Sequence, residues 1–268
     1  MAIYDCFQFF NEEEILDIRL NILSPFVDYF IITESIYDHQ GNIRELVFNK
    51  KKFEKFIHKI NYVVVKDISQ SVIKEHQGGH SLIEQHQRNA IMRGLERSSN
   101  EDLIIISDVD EIPDLRRLNL YNKKNYAVFS QRMFNFKLNL MNITESNWYG
   151  SRMCLKKNLK SPQYLRNIKF KKYPFWRLDK IRNIQVIENG GWHFSYLQDV
   201  SLILKKIKSF SHGEFNNPSI VNENTISQKI NNGIDIFNRN IEYKKVEIDN
   251  SFPEYIQNNV EKFKEWII

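Results

Sequence analysis

The residues that could do chemistry gather in one stretch, Leu103-Ile104-Ile105-Ile106-Ser107-Asp108-Val109-Asp110-Glu111-Ile112-Pro113. Three carboxylates fall within four positions. In an extended backbone, Asp108 and Asp110 would share a face. Two carboxylates held together repel unless a cation or a proton sits between them. An oxygen-rich pair of this kind suits a hard divalent cation such as Mg²⁺ or Mn²⁺ that also carries a phosphate. The same residues also read as a solvated acidic turn after a core strand.

The elements around this stretch decide where it sits. Leu103 to Ile106 is an unbroken apolar run, the pattern of a strand buried on both faces, and Pro113 stops a central strand from continuing. Ahead of it, Ile3 to Phe10 reads as a first strand interrupted by Asp5. Asn11 and Glu14 form a capping box for a helix whose apolar face carries Ile15, Leu16, Ile18, Leu20, Ile22 and Leu23. Val27 to Thr33 is a second strand with Glu34 at its carboxyl end, Lys51 to Ile60 reads as helical, and Tyr62 to Val65 is a third strand. Ser81 and Glu84 make another capping box, for a helix that runs to about Arg97 and carries Arg88 and Asn89 near the edge of its apolar stripe. This β-α-β-α-β order predicts an α/β fold with a mostly parallel sheet and covering helices. Ligands of such sheets bind beyond the carboxyl ends of the strands, and Asp5, Glu34 and Asp108 to Glu111 fall at or near those ends. The second half reads differently. Tyr126 to Ser130 and Ile184 to Ile187 read as strands, but 133–172 reads as loop-rich, dense in aromatics and cations.

Composition narrows the class. The chain has 268 residues, 42% hydrophobic and 26% charged, as expected of one large globular domain without internal repeat or dividing linker. Its +5 net charge is dispersed. The short lysine clusters at 50–52, 169–172 and 205–208 read as solvated faces rather than nucleic-acid or membrane patches. Two distant cysteines, Cys6 and Cys154, imply no disulfide framework and fit a reducing compartment. No run approaches the ~18 apolar residues of a membrane span and no signal-peptide pattern opens the chain. The expectation is a soluble cytoplasmic protein, with the sequon at Asn142 a chance occurrence.

Tyr4 to Glu12, Val27 to Glu34, Asp108 to Pro113 and Gly191-Trp192-His193-Phe194-Ser195, in that order, resemble glycosyltransferase family 17. The resemblance spans residues 4 to about 240. It implies a GT-A fold, with residues 1–115 as the nucleotide-sugar half and 116–268 as the acceptor half. It also implies a divalent metal, Mn²⁺ or Mg²⁺, and an inverting transfer of a sugar from a UDP-sugar, UDP-GlcNAc by analogy with the family's bisecting enzyme, to a glycan or glycoconjugate.

Within that frame Asp110 would hold the metal, and Asp108 would reach it or the donor ribose. His193 would be a third ligand, with His212 as its rival. Arg88 and Asn89 resemble an Arg-Asn pair that contacts the donor in many GT-A enzymes, and Glu34 and Asp5 would lie on the nucleotide side. Trp148, Trp192 and Trp176 could stack on sugar rings, because aromatic faces bind the apolar faces of pyranoses. Inversion requires one general base on the acceptor side, and Glu214, after a glycine, is the choice over Glu188 and Asp199. Each assignment has a plainer counterpart: a core histidine, a packed tryptophan, a helix-surface residue or an exposed loop glutamate. Two other classes also fit parts of the pattern. In a haloacid-dehalogenase-type phosphatase Asp108 would be the nucleophile, although that motif belongs on a first strand. A non-catalytic sugar- or nucleotide-binding protein would explain the aromatics and the positive charge.

Overall fold

The computed structural model describes residues 1–38, 40–69, 72, 82–122, 126–169, 184–209, 222–236 and 239–268. Strand β1 (Ile3–Gln8) runs at the centre of the larger sheet. Asp5 does not interrupt it; the residue pairs with Phe30 on one side and Ile105 on the other. Parallel neighbours β2 (Tyr29–Ser35) and β3 (Ile60–Val65) extend the sheet on one side, and β4 (Leu103–Asp108) lies on the other. The chain then passes through β5 (Glu111–Pro113), β6 (Tyr126–Phe129), β7 (Gln131–Asn135), β8 (Leu140–Asn142), β9 (Asn147–Trp148) and β10 (Arg152–Leu155). Strands β11 (Ile184–Ile187), β12 (Gly191–Ser195) and β13 (Tyr243–Lys245) follow.

The larger sheet has the order β11-β6-β10-β4-β1-β2-β3, with β10 antiparallel to both neighbours. A second sheet runs β13-β8-β7-β12-β5, with β9 paired to β7. This is the mixed α/β, mostly parallel architecture expected of a GT-A-like fold. Residues 133–155, within the stretch read as loop-rich, instead carry the end of β7, β8 and β9 of the second sheet and β10, which joins β6 to β4 in the first. Those strands are too short for period-two patterning to stand out.

Helix α1 (Glu13–Leu23) covers one face, packing Ile15, Leu16 and Ile18 with Phe7 and Ile105. On the other face, α2 (Leu82–Asn89), the short α3 (Ile91–Gly94) and α4 (Pro162–Asn167) accompany a cluster that includes Cys6, Ile104, Ile91 and Leu165. Helix α1 starts after Glu12, which makes no cap bond to the helix, whereas the expected cap, Asn11, accepts a hydrogen bond from Gln198. The helix expected over 51–60 is only a single 3-10 turn, Glu54–Phe56, and the helix expected to reach Arg97 breaks at Ala90 and ends at Gly94. Asn142 is fully buried with its side-chain oxygen accepting from the Glu145 N–H, which suits a chance sequon. Both cysteines are free and buried. No described helix is long and apolar enough to cross a membrane.

Candidate functional site

Strand β4 ends at Asp108, a turn follows, and β5 enters the second sheet, so the acidic stretch is the crossing point between the two sheets. Because the chain turns after Asp108, the expectation that Asp108 and Asp110 share a strand face does not hold, and the two carboxylates have different partners. Asp108 accepts from Arg88 Nη2 at 3.1 Å and from Arg166 Nη2 at 2.6 Å. Arg88 sits on α2, where Glu84 one turn earlier pairs with it and Gln163 accepts from its Nη1 at 2.7 Å. Arg166 sits on α4, a helix opened by Ser161, whose hydroxyl accepts from Tyr164 N, and by Pro162 in the first turn. Its fork donates to both oxygens of Glu111, at 2.8 and 2.7 Å, and to the Gly150 carbonyl at 2.6 Å. Burial disfavours the Asp108 carboxylate, but the Arg166 and then the Arg88 guanidinium outweigh it and hold that carboxyl well below its ordinary range. Arg152, on β10, is pulled down to about 10 by burial and by the charge of Arg166.

Glu111 is buried at the floor of this group and also accepts from the Trp148 indole at 2.6 Å and from the Asp108 backbone at 3.0 Å. Gly150 permits that packing: a Cβ there would lie 2.2 Å from Glu111 Oε1 and 2.5 Å from Trp148 Nε1. Asp110 turns to β12, where its Oδ2 lies 3.5 Å from His193 Nε2. The Asp110 backbone carbonyl accepts from Phe194 N at 3.0 Å, which fixes the turn against that strand. Burial opposes the imidazolium, yet the Asp110 carboxylate beside it raises the His193 pKa above its ordinary value. The Trp148 ring lies against the imidazole, centroids 4.9 Å apart. His193 Nδ1 is buried and has no hydrogen-bond partner among the described residues.

A cavity of about 730 Å³ opens beside Asp108, walled by Glu84, Arg88, Glu145, Trp148, Arg152 and Arg166 among others. Of the residues singled out in the sequence, Asp108, Arg88 and Trp148 line it. Asp110 and His193 are not in the lining, and the His193 imidazole lies against the Trp148 ring. The rest lie elsewhere. Asn89 is exposed and accepts from Gln163 N; Glu34 is buried, holding Arg44, the Tyr62 hydroxyl and the backbone of Val47 and Phe48. Asp5 is buried against Arg19. Trp192, 3% exposed, packs in the main core and donates to Ser251 O, so its ring is not offered to a sugar in this structure. Glu188 and Asp199 are exposed, and neither lines the cavity. Glu214, His212 and Trp176 lie outside the described residues.

Arg166, Arg152, Glu111 and Arg19 were not singled out for roles from the sequence. Ser161-Pro162 was a readable helix start that would have placed Arg166 one turn in, and Arg19 interrupts the apolar stripe between Ile15 and Leu23. Among the described residues no group of three His, Cys, Asp or Glu side chains is gathered around a metal position. Asp110 with His193 Nε2 nevertheless fits a hard cation of the Mg²⁺ or Mn²⁺ kind, which is commonly held by one or two protein ligands and completed by substrate phosphates and water.

The acidic turn with its guanidinium partners lies at the carboxyl end of a central parallel strand, the position where open α/β sheets bind their ligands. A comparison with protein families matches residues 1–264 to glycosyltransferase family 17. The chain belongs to that family and is a glycosyltransferase, which takes a sugar donor and a glycan acceptor. No curated protein matches it.

Proposed function

We propose that this glycosyltransferase is metal-assisted and inverting, and that it binds a nucleoside-diphosphate sugar, with UDP-GlcNAc as the expected donor, in the cavity beside Asp108. The observation that carries this reading is the set of three arginines, Arg88, Arg152 and Arg166, that line the cavity beside Asp108. Planar guanidinium forks match phosphate oxygens in pairs, so this lining suits a diphosphate better than a neutral sugar. Arg88 and Arg166 orient the diphosphate and offset the charge that develops on it as the glycosidic bond breaks. Asp110 and His193 would hold the cation, with Asp108 joining them or receiving the ribose. When bound, the cation supplies Lewis-acid stabilisation of the departing diphosphate. Trp148, at 36% exposed, offers its ring to a sugar from the cavity wall. Residues 1–115 would then serve the nucleotide, and 116–268 the acceptor.

Single displacement with inversion needs a base that takes the acceptor hydroxyl's proton from the side opposite the diphosphate. Glu214 is the base we assign. Glu145 is the second choice, because its carboxylate lies in the cavity lining on the stretch that leads to Trp148.

The test is a thermal-shift panel of nucleoside diphosphates and nucleotide sugars with and without Mn²⁺. Stabilisation should be greatest for a uridine diphosphate together with Mn²⁺ and small for either alone. Asp110→Asn should abolish the gain without unfolding the protein. Full stabilisation in that variant would remove Asp110 from the metal site, and no response to any nucleotide would remove the donor reading.

A further inference from the structure

We propose that Asp5 and Arg19 are not donor contacts but a built-in anchor, a pair of positioning residues that sets the shape of the acidic turn from beneath. Both side chains are 0% exposed. Arg19 Nε donates to Asp5 Oδ2 at 2.8 Å and Nη2 to Asp5 Oδ1 at 2.6 Å. The remaining nitrogen, Nη1, faces the backbone of the acidic turn and donates to the carbonyls of Asp108 at 3.1 Å, Val109 at 3.2 Å and Glu111 at 2.7 Å. The guanidinium also lies over the Phe7 ring, 4.5 Å from its centroid.

This arrangement answers two physical demands at once. A turn between two sheets leaves carbonyls facing the protein interior, and buried carbonyls must find donors. The same turn carries three carboxylates, so a fixed positive charge beneath it offsets their repulsion. Only a forked, planar cation can hold a carboxylate on one edge and several carbonyls on the other, and a lysine ammonium cannot span both. Asp5, in the middle of a central strand, is spent on orienting that fork. With the carbonyls pinned below, the Asp108 carboxyl is left to the cavity and that of Asp110 to His193. That this placement serves donor and metal binding rests on the function proposed above; the anchoring does not.

The pair can be removed without leaving a buried charge. Replacing a buried ion pair by apolar residues of similar volume is often neutral for stability, so the double variant Asp5→Leu/Arg19→Met is the primary test. Arg19→Lys, which keeps the charge but not the fork, is the second. Backbone hydrogen exchange over residues 106–113 and calorimetric titration with UDP in the presence of Mn²⁺ are measured on both, alongside the unfolding midpoint. Anchoring predicts faster exchange in the turn and a rise in Kd of about 10–100-fold, the scale seen when outer supports of a metal site are lost. Turn exchange and Kd equal to wild type in either folded variant would overturn the proposal. Should wild type bind no nucleotide while the turn still loosens in the variants, the anchor stands and the donor reading falls.

Discussion

Two carboxylate–guanidinium groups meet at the same turn and behave differently. Beneath it, Asp5 and Arg19 are sealed, with both carboxylate oxygens and three guanidinium nitrogens committed to protein partners. Above it, Asp108 shares Arg88 and Arg166 but is 39% exposed along its side chain and borders a cavity of about 730 Å³. The chemical groups are identical, and access separates them. A closed pair can only hold geometry, whereas an open one can exchange its carboxylate for another anion. The first should therefore be felt as stability and the second as binding.

The largest effect should come from breaking the sealed pair on one side. Arg19→Ala leaves Asp5 charged and unpaired in the core, and should cost about 3–5 kcal/mol in denaturant unfolding. The open group should show the opposite signature. Asp108→Asn removes a partly exposed charge and should cost less stability than Arg19→Ala, yet weaken UDP–Mn²⁺ binding by about tenfold or more in calorimetry. If Asp108→Asn unfolded the protein as readily as Arg19→Ala, the contrast would fail.

A smaller and pH-dependent effect separates the groups further. The carboxyl of Asp108 is held below its ordinary value in the folded state, so the unfolded chain binds its proton more readily. Its contribution is present above the unfolded pKa, about 4, and is lost as pH falls below that through the folded value. His193 runs the other way. Its folded pKa is raised, so its contribution is full below about 6.5 and is lost as pH rises through the folded value. Metal-free unfolding curves should show Asp108→Asn flattening the acid limb and His193→Gln the limb above about pH 6.5. The smallest effect belongs to a pair at the surface. Lys157→Met removes the exposed contact with Glu101 and should change stability by about 0–1 kcal/mol, with unchanged nucleotide binding.

What the sequence disclosed follows from where the signals were local. The run Leu103 to Ile106 and its acidic end placed β4 and Asp108 correctly, and the α/β order of the first half followed from apolar strands alternating with an amphipathic helix. Arg88 was readable because Arg88-Asn89 resembles an Arg-Asn pair of GT-A enzymes and lies on a helix that Ser81 and Glu84 announce locally. Arg166 was not, because its bond to Asp108 joins residues 58 positions apart and no local pattern encodes that contact. The tryptophans divide for a similar reason. Trp148 and Trp192 look alike in sequence, but Trp192 lies on a strand with one side in the core, while Trp148 lies on a two-residue strand beside the cavity. Asp5 reads in the sequence as an interruption of the first strand at or near its end, but it pairs on both sides in mid-strand, where a buried acid demands a partner such as Arg19.

The central claim is that the open arginine group is the seat of the donor's diphosphate. Arg88→Met keeps the length of the side chain's apolar stem while removing the fork that faces Asp108, and the measurement is calorimetric titration of this variant and of wild type with UDP in the presence of Mn²⁺. The account predicts saturable one-to-one binding to wild type and a Kd raised about tenfold or more in the variant, which loses the buried Arg88 pairing but stays folded at the titration temperature. Equal affinity in the two proteins would contradict it.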